Sequence, residues 1–150
     1  MAAAAAAAQA MWAQEAPDRA DQNYLVRKGV QAHGTRVTEG GMLLVPMRDT
    51  TGKLWNVERV QPEAGTPKKG LSGGRRSGCY FGIGKPKDAL IVCEGFATGA
   101  SIHECTGHAV AVAFNAGNLE AVAVALRSKY PSLKIVVAAD DDFERGVLAA

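Results

Sequence analysis

The chain of 150 residues is long enough for one ordinary domain or for two small subdomains that share a core. Hydrophobic residues make up 47% and charged residues 21%, a composition that excludes a disordered tail. Outside the weakly hydrophobic alanine run 2–8, which lacks the basic leader of a secretory signal, no stretch approaches the ~18 uncharged apolar residues of a membrane span. Three cysteines without CxxC spacing indicate neither a disulfide framework nor a zinc knuckle. We therefore expect a cytoplasmic protein that has no membrane partner.

The first half of the chain predicts a small mixed α+β unit. Residues 2–15 are rich in alanine and predict a helix, and Tyr24–Val30 predicts a second short helix that ends at Gly29. Met42–Met47 is a short apolar run, and Leu54–Val60 alternates apolar and polar residues. Because an Asp-Thr-Thr-Gly turn separates these two segments, they predict a β-hairpin.

Positive charge is concentrated between Arg48 and Lys87. That stretch holds nine basic and three acidic residues, although the whole chain has a net charge of only +2. Four of the basic residues lie in residues 61–78, a segment rich in proline and glycine without periodicity, which predicts a loop. Contact with a polyanion and a solvated lysine-rich loop explain this charge equally well.

The second half alternates buried strands with helices. Ala89–Cys93, Ala109–Phe114 and Lys134–Ala139 are apolar runs that predict strands, and Ala97–Cys105 and Leu119–Tyr130 predict the helices between them. This βαβαβ order predicts an α/β fold with a parallel sheet covered on both faces. We expect residues 1–87 to form an N-terminal subdomain with the hairpin and basic loop, and residues 88–150 a second domain. Since eight residues follow Asp142, we expect the second domain to be truncated at its C-terminal end.

Acidic residues stand at the ends of two of the predicted strands. Glu94 follows the first strand, and Asp140 and Asp142 follow the third with their side chains on the same side. Ligands of open parallel sheets bind at the carboxyl ends of the strands, where three carboxylates would repel one another unless a cation lay among them. Oxygen ligands without histidine or thiolate favour Mg²⁺ or Mn²⁺. The sequence therefore predicts a divalent metal site of the kind used in phosphoryl or nucleotidyl transfer.

Several segments, taken in order, resemble a known family. The segments are Tyr24–Gly29, Leu44–Gly52, Lys68–Gly82, Ala89–Gly95, Asn115–Leu119 and Val136–Asp142. Together they resemble the Toprim-containing catalytic core of bacterial-type, DnaG-like DNA primases, most closely those of plasmids, phages and mobile elements. The resemblance implies a Toprim-type parallel sheet preceded by a small mixed α+β subdomain. It also implies Mg²⁺-dependent, DNA-templated synthesis of RNA primers.

The resemblance implies a role for several individual residues. Glu94 would act as general acid or base or help to hold metal, and Asp140 and Asp142 would hold Mg²⁺ or Mn²⁺. Lys69 would contact template or nucleotide phosphates, and the family also carries basic residues near Arg75 and Arg76. The implied partners are a single-stranded DNA template, ribonucleoside triphosphates and a replicative helicase, either fused or separate.

The positions of two further residues in the chain make them candidate nucleic-acid contacts. Arg48 follows the first hairpin strand and is expected to face the same cleft. Tyr80 follows the two arginines of the basic loop and offers a ring on which a base can stack. For each predicted basic contact, a solvated surface charge is an equally good explanation. Trp12 and Trp55 are expected to pack in the core instead.

Other functions stay open from the sequence. Many primases carry an aspartate where this chain has Thr98, so one metal ligand of the family is absent. A Toprim nuclease or topoisomerase-like enzyme is one alternative, and a non-catalytic fragment that binds single-stranded DNA is another. Dinucleotide binding is poorly supported because no GxGxxG follows the strand that ends at Cys93.

Overall fold

The computed structural model describes residues 1–14, the backbone of residues 16 and 17, and residues 21–139. Among these residues, no helix is both long and apolar enough to cross a lipid bilayer. The helices and strands are, in chain order, α1 (Ala2–Gln14), β1 (Ala16–Pro17), α2 (Asn23–Lys28), β2 (Arg36–Val37), β3 (Leu43–Arg48), β4 (Leu54–Val60), β5 (Phe81–Ile83), β6 (Ala89–Cys93), α3 (Phe96–Thr106), β7 (Ala109–Val112), α4 (Leu119–Lys129) and β8 (Lys134–Ala138).

The first sheet is antiparallel, with the strand order β1-β2-β3-β4. Its centre is the hairpin β3–β4, which confirms the hairpin prediction. Helix α1 packs against β4 through Ala5 and Ala8, whose small side chains are buried. Helix α2 ends as predicted at Gly29, where a φ of +66° lets the chain turn back and its N–H bond to carbonyls of the last helical turn.

The second sheet has the strand order β5-β7-β6-β8. Strands β6, β7 and β8 are parallel, as predicted for an α/β fold, and β5 adds an antiparallel edge strand beside β7. Strand β5 was missed because it has three residues, with Gly82 at its centre, and so shows too short a pattern to identify. It precedes the predicted boundary at 87/88 yet pairs within the second sheet. The division into residues 1–87 and 88–150 stays a prediction.

Alternate residues of β6 enter two different cores. Leu90 and Val92 pack with buried residues of α4, and Cys93 packs with Phe96 and other residues on the α3 side. The α3-side core also contains residues of the first sheet, such as Val45. The two predicted units therefore share one hydrophobic core.

Strand β8 is less buried than the sequence predicted. Val136 is 40% exposed and Val137 is 48% exposed, although the run was expected to be a buried strand. The reason is the strand order, which places β8 at the edge of the described sheet with β6 as its neighbour. In the part of the chain that the structure describes, only one side of β8 is paired.

Candidate functional site

The parallel strands β6 and β7 end side by side. Beyond the last residues of the strands, the backbone N–H of Ala113 donates to the carbonyl of Cys93 at 2.8 Å, and that of Phe114 donates to the carbonyl of Glu94 at 2.7 Å. On the other side of β6, Cys93 is paired with Ala138 of β8. Glu94 therefore lies at the carboxyl edge of the sheet, between the ends of its two neighbouring strands.

Phe114 is strained at this edge. Its φ of +77° is in the left-handed region, which large side chains rarely adopt. Such a conformation costs on the order of 1 kcal/mol or more and persists only where the surroundings hold it. Here the hydrogen bond to Glu94 holds the backbone while the half-buried ring packs against the α3-side core.

The predicted metal ligands are only partly within the described residues. Glu94 is half-buried at the sheet edge, whereas Asp140 and Asp142 lie outside the described residues. Within the described part of the chain, no group of three or more His, Cys, Asp or Glu side chains could hold a metal ion. The carboxylate of Glu94 is a donor that suits Mg²⁺ or Mn²⁺. The other two ligands follow Ala138 by two and four residues and stay predictions.

The hairpin reaches the same edge through a backbone pair. Arg48, the last residue of β3, exchanges two hydrogen bonds with Tyr80, of 3.1 and 2.9 Å. Tyr80 precedes Phe81, which is paired with Val112 at the end of β7. The backbones of Arg48 and Glu94 are thus separated by about three strand spacings, or about 15 Å. The structure brings two of the predicted nucleic-acid residues into line with the predicted catalytic carboxylate.

Asp49 organises the turn of the hairpin. Its Oδ1 accepts hydrogen bonds from the Thr51 N–H, the Thr51 hydroxyl and the Lys53 N–H, and its Oδ2 accepts one from the Trp55 indole. Burial raises the pKa of Asp49, but the hydrogen bonds from Thr51, Trp55 and Lys53 outweigh it and lower the pKa to about 2. The carboxylate is therefore charged at neutral pH, and it lies 3.9 Å from the guanidinium of Arg75.

Trp55 is not a core residue, which corrects the prediction. Its ring is half-buried, with the Lys53 ammonium 4.0 Å and the Arg75 guanidinium 4.9 Å from the ring centroid. The indole is oriented by its hydrogen bond to Asp49. Trp12 is likewise half-buried, at the margin of a small cluster on β4. Strand β4 presents Trp55 to the charged surface, so the ring contributes to holding Arg75 in place.

Lys69 and Arg76 lie against β4, in a neighbouring part of the basic loop. The backbone of Lys69 pairs with Arg59, and the guanidinium of Arg76 packs on Gly70 so closely that a Cβ there would lie 2.8 Å from it. Burial raises the pKa of Glu58, and the positive charges of Lys68 and Arg76 oppose that rise. The described contacts therefore connect Arg75 with Asp49 and Trp55, and Arg76 with Gly70 and Glu58.

Asn118 was not predicted as a site residue. It is 5% exposed, and its side chain forms hydrogen bonds of 2.9 to 3.1 Å with backbone groups of Arg76, Gly78, Cys79 and Ala113. These bonds join the end of the basic loop to the end of β7. The asparagine lies within the Asn-Ala-Gly-Asn segment, but the sequence contains no signal for which of its residues is buried.

Comparison with known proteins agrees with this architecture. Residues 89–150 match the family model described as the Toprim domain. Two proteins described as DNA primase TraC, both from Escherichia coli, are each 40% identical to the chain over 126 residues. These matches cover 79% of the chain but only 9% and 12% of the lengths of the two relatives. No solved structure gives a significant match. Residues 89–150 are thus a Toprim domain, and 79% of the chain is similar to a part of these DNA primases.

Proposed function

We propose that the chain is part of a DNA primase that synthesises short RNA primers on single-stranded DNA during replication of a bacterial, plasmid or phage genome. The supporting observation is the shared edge on which Glu94, Arg48 and Tyr80 lie in one row of paired strands. The relatives carry the name DNA primase, and the chain spans about a tenth of their length. Primer synthesis is therefore proposed for the longer protein, with ribonucleoside triphosphates as substrates and a replicative helicase as partner.

In this proposal Glu94, Asp140 and Asp142 hold Mg²⁺ or Mn²⁺. The bound cation would offset the charge of the incoming triphosphate and lower the pKa of the attacking 3′-hydroxyl. The carboxylate of Glu94 would either ligate the cation or accept a proton from that hydroxyl. The pairing of Cys93 with Ala138 supports the proposal, because it brings the strand that precedes the Asp-x-Asp pair beside the strand that precedes Glu94.

The basic residues would hold the template strand by its phosphates. Arg75 is oriented by Asp49 and Trp55, and Arg48 is tied to the backbone carbonyl of Gly52 at 3.0 Å. Side chains held in this way lose less conformational entropy on binding than free ones. Lys69 and Arg76 would extend the contact along the loop. Binding of this kind weakens steeply as the salt concentration rises.

The metal site is tested by titrating the chain with Mn²⁺ and following the broadening of its NMR signals. We expect selective broadening around Glu94, Asp140 and Asp142 that Asp140→Asn removes. Asp88→Asn is the matched control, because Asp88 is exposed and precedes β6 at the opposite edge of the sheet. Diffuse or absent broadening in the wild type would contradict the metal site.

The reaction is tested in the longer protein. Primer synthesis on single-stranded DNA should be lost in Asp140→Asn and in Asp142→Asn, and retained synthesis in both would overturn the assignment. Cleavage of DNA with Mn²⁺ in the absence of nucleoside triphosphates would show a Toprim nuclease instead. DNA binding unchanged by Mg²⁺ and by Glu94→Gln, together with no synthesis, would show a non-catalytic binding protein.

A further inference from the structure

A cleft of about 290 Å³ lies where the hairpin meets the second sheet. We name it the junction cleft. Its lining brings together residues from α1, the end of β3, α4 and β5 with the residue before it, among them Trp12, Arg48, Tyr80, Gly82 and Lys129. The sequence predicted Arg48 and Tyr80 as nucleic-acid contacts, but it placed Trp12 in the core and gave no role to Gly82 or Lys129.

Trp12 and Tyr80, two aromatic residues of the cleft, are half-buried. Trp12 has the guanidinium of Arg36 at 4.2 Å and that of Arg48 at 6.0 Å from its ring centroid. Arg36 also donates a hydrogen bond to the backbone carbonyl of Trp12, which fixes the pair. Tyr80 packs at the margin of the α4-side core. Two oriented rings in one concave site form a surface suited to a flat, aromatic ligand.

The cations of the cleft are anchored at the turn of the hairpin. Arg48 Nη1 donates to the carbonyl of Gly52 at 3.0 Å, and Lys129 Nζ donates to the carbonyl of Thr50 at 3.0 Å. A guanidinium has five N–H donors and an ammonium has three, so both side chains keep donors for a ligand. The carboxylate of Asp49 also lines the cleft, but it already accepts hydrogen bonds from Thr51, Lys53 and Trp55. Because Arg48 and Lys129 hold their remaining donors in a cleft that contains aromatic rings, the ligand they suit is an aromatic anion.

Gly82 is the most informative residue of the cleft. It lies exposed at the centre of β5, and its φ is outside the left-handed region. A Cβ at this position would meet only the ring of Tyr80, at an ordinary contact distance of 3.7 Å. Neither backbone conformation nor packing requires a glycine here, although glycine weakens a strand. A close approach of a ligand to the backbone is one of the usual reasons for a glycine inside a strand.

We propose that the junction cleft binds one unpaired nucleotide of the template strand, with its base against Trp12, Tyr80 and Gly82 and its phosphate between Arg48 and Lys129. This inference rests on the proposed function. It identifies the ligand of the junction cleft, which is one part of the proposed DNA-binding site. Bases of a double helix are stacked and paired, so only a single strand can place a base in the cleft. The backbone pairing of Tyr80 with Arg48 places the cleft on the edge that carries Glu94.

The test compares the affinity of the chain for a short oligothymidylate with its affinity for an abasic strand of the same length, measured by fluorescence anisotropy. Both strands present the same phosphates, and only the first presents bases. We expect the wild type to bind the base-bearing strand roughly tenfold more tightly, the contribution of one stacked base. Equal affinity for the two strands would contradict the binding of a base in the junction cleft. It would not contradict the proposed contacts to phosphates.

Gly82→Val fills the cleft without removing any side chain. Valine favours β-strands, so the fold should be retained, as thermal denaturation would check. We expect the tenfold preference for bases to fall to about onefold while binding of the abasic strand stays unchanged. The matched control is Gly40→Val, since Gly40 is also exposed and outside the left-handed region but lies in the turn before β3, at the other end of that strand. A preference that survives Gly82→Val would contradict the proposal.

Two further measurements separate the remaining outcomes. Trp12→Ala should abolish the base preference, and Trp12→Phe should restore part of it because the phenyl ring still stacks. If free ribonucleoside triphosphates displace only the base-dependent part of binding, the occupant is a free nucleotide and the proposal of a template nucleotide is wrong. If the chain bound neither strand, both the binding of a nucleotide in the junction cleft and the DNA-binding part of the proposed function would be wrong.

Discussion

The side chain of Asn118 accepts a hydrogen bond of 2.9 Å from the backbone N–H of Gly78, which lies 40 positions earlier in the chain. The two N–H groups of its amide are shared among three carbonyls, those of Arg76 and Cys79 in the same loop and that of Ala113 at the end of β7. One buried side chain therefore fixes the end of the basic loop to the edge of the second sheet.

Asn118→Ala should destabilise the protein and weaken its binding to DNA. The substitution leaves the buried carbonyls of Cys79 and Ala113 without their partner, which costs about 2–3 kcal/mol in unfolding free energy. Chemical denaturation measures the loss of stability, and anisotropy under conditions where the variant is folded measures the loss of affinity. Asn115→Ala is the control, because Asn115 is exposed in the same segment. Equal effects of the two substitutions would contradict the role of Asn118.

Asp49→Asn should lower stability at neutral pH by about 1 kcal/mol, mainly through the lost acceptor for the Trp55 indole. The pKa of Asp49 is about 2, below its ordinary value of 3.8, so its charged form stabilises the fold at pH values above about 4. That contribution is lost as the pH falls from 3.8 towards 2. Thermal unfolding as a function of pH should therefore show the wild type and the variant converging in acid. If the two curves stay parallel at all pH values, the pH-dependent stabilisation does not come from Asp49.

Arg75→Ala should reduce the salt dependence of binding to single-stranded DNA. Each phosphate contact contributes about 0.7 to the slope of log K against log salt, so losing one should make the slope less steep by about that amount. Arg75→Lys retains the charge and should retain the slope. Lys134→Ala is the control, because Lys134 is exposed at the start of β8, on the opposite edge of the sheet. An unchanged slope in Arg75→Ala would identify Arg75 as a residue that only orders the loop.

Glu104→Gln should weaken the contact between α3 and the segment that follows α2. Glu104 Oε2 accepts from the backbone N–H of Gln31 at 3.0 Å and lies 2.5 Å from Nε2 of His33. The bond from Gln31, followed by that from His33, lowers the pKa of Glu104. The stabilisation is thus present above the ordinary pKa of 4.5 and is lost as the pH falls below it. Because the pair is solvent-exposed, we expect less than about 1 kcal/mol at pH 7, measured by chemical denaturation.

Local patterns were sufficient for most of the helices and strands. The alternation of Leu54–Val60, the Asp-Thr-Thr-Gly turn and the left-handed Gly29 are short-range signals, and each corresponds to an element of the structure. Strand β5 could not be predicted in this way, because three residues with a central glycine are too few to show an alternating hydrophobic pattern. Its pairing with β7 depends on contacts between residues about thirty positions apart, which no local window contains.

Part of the candidate site could likewise be predicted from local sequence, and part could not. The sequence by itself determined the types of residue that follow the strands, because the βαβαβ pattern predicts that Glu94 and the later aspartates stand at strand ends. Only the tertiary structure decided which loop residues meet at that edge. Hydrogen bonds of Asn118 to distant backbone groups determine it, together with the ion pair of Asp49 and Arg75 and the pairing of Arg48 and Tyr80. Such contacts depend on the three-dimensional path of the chain, and the composition and spacing of its residues do not specify that path.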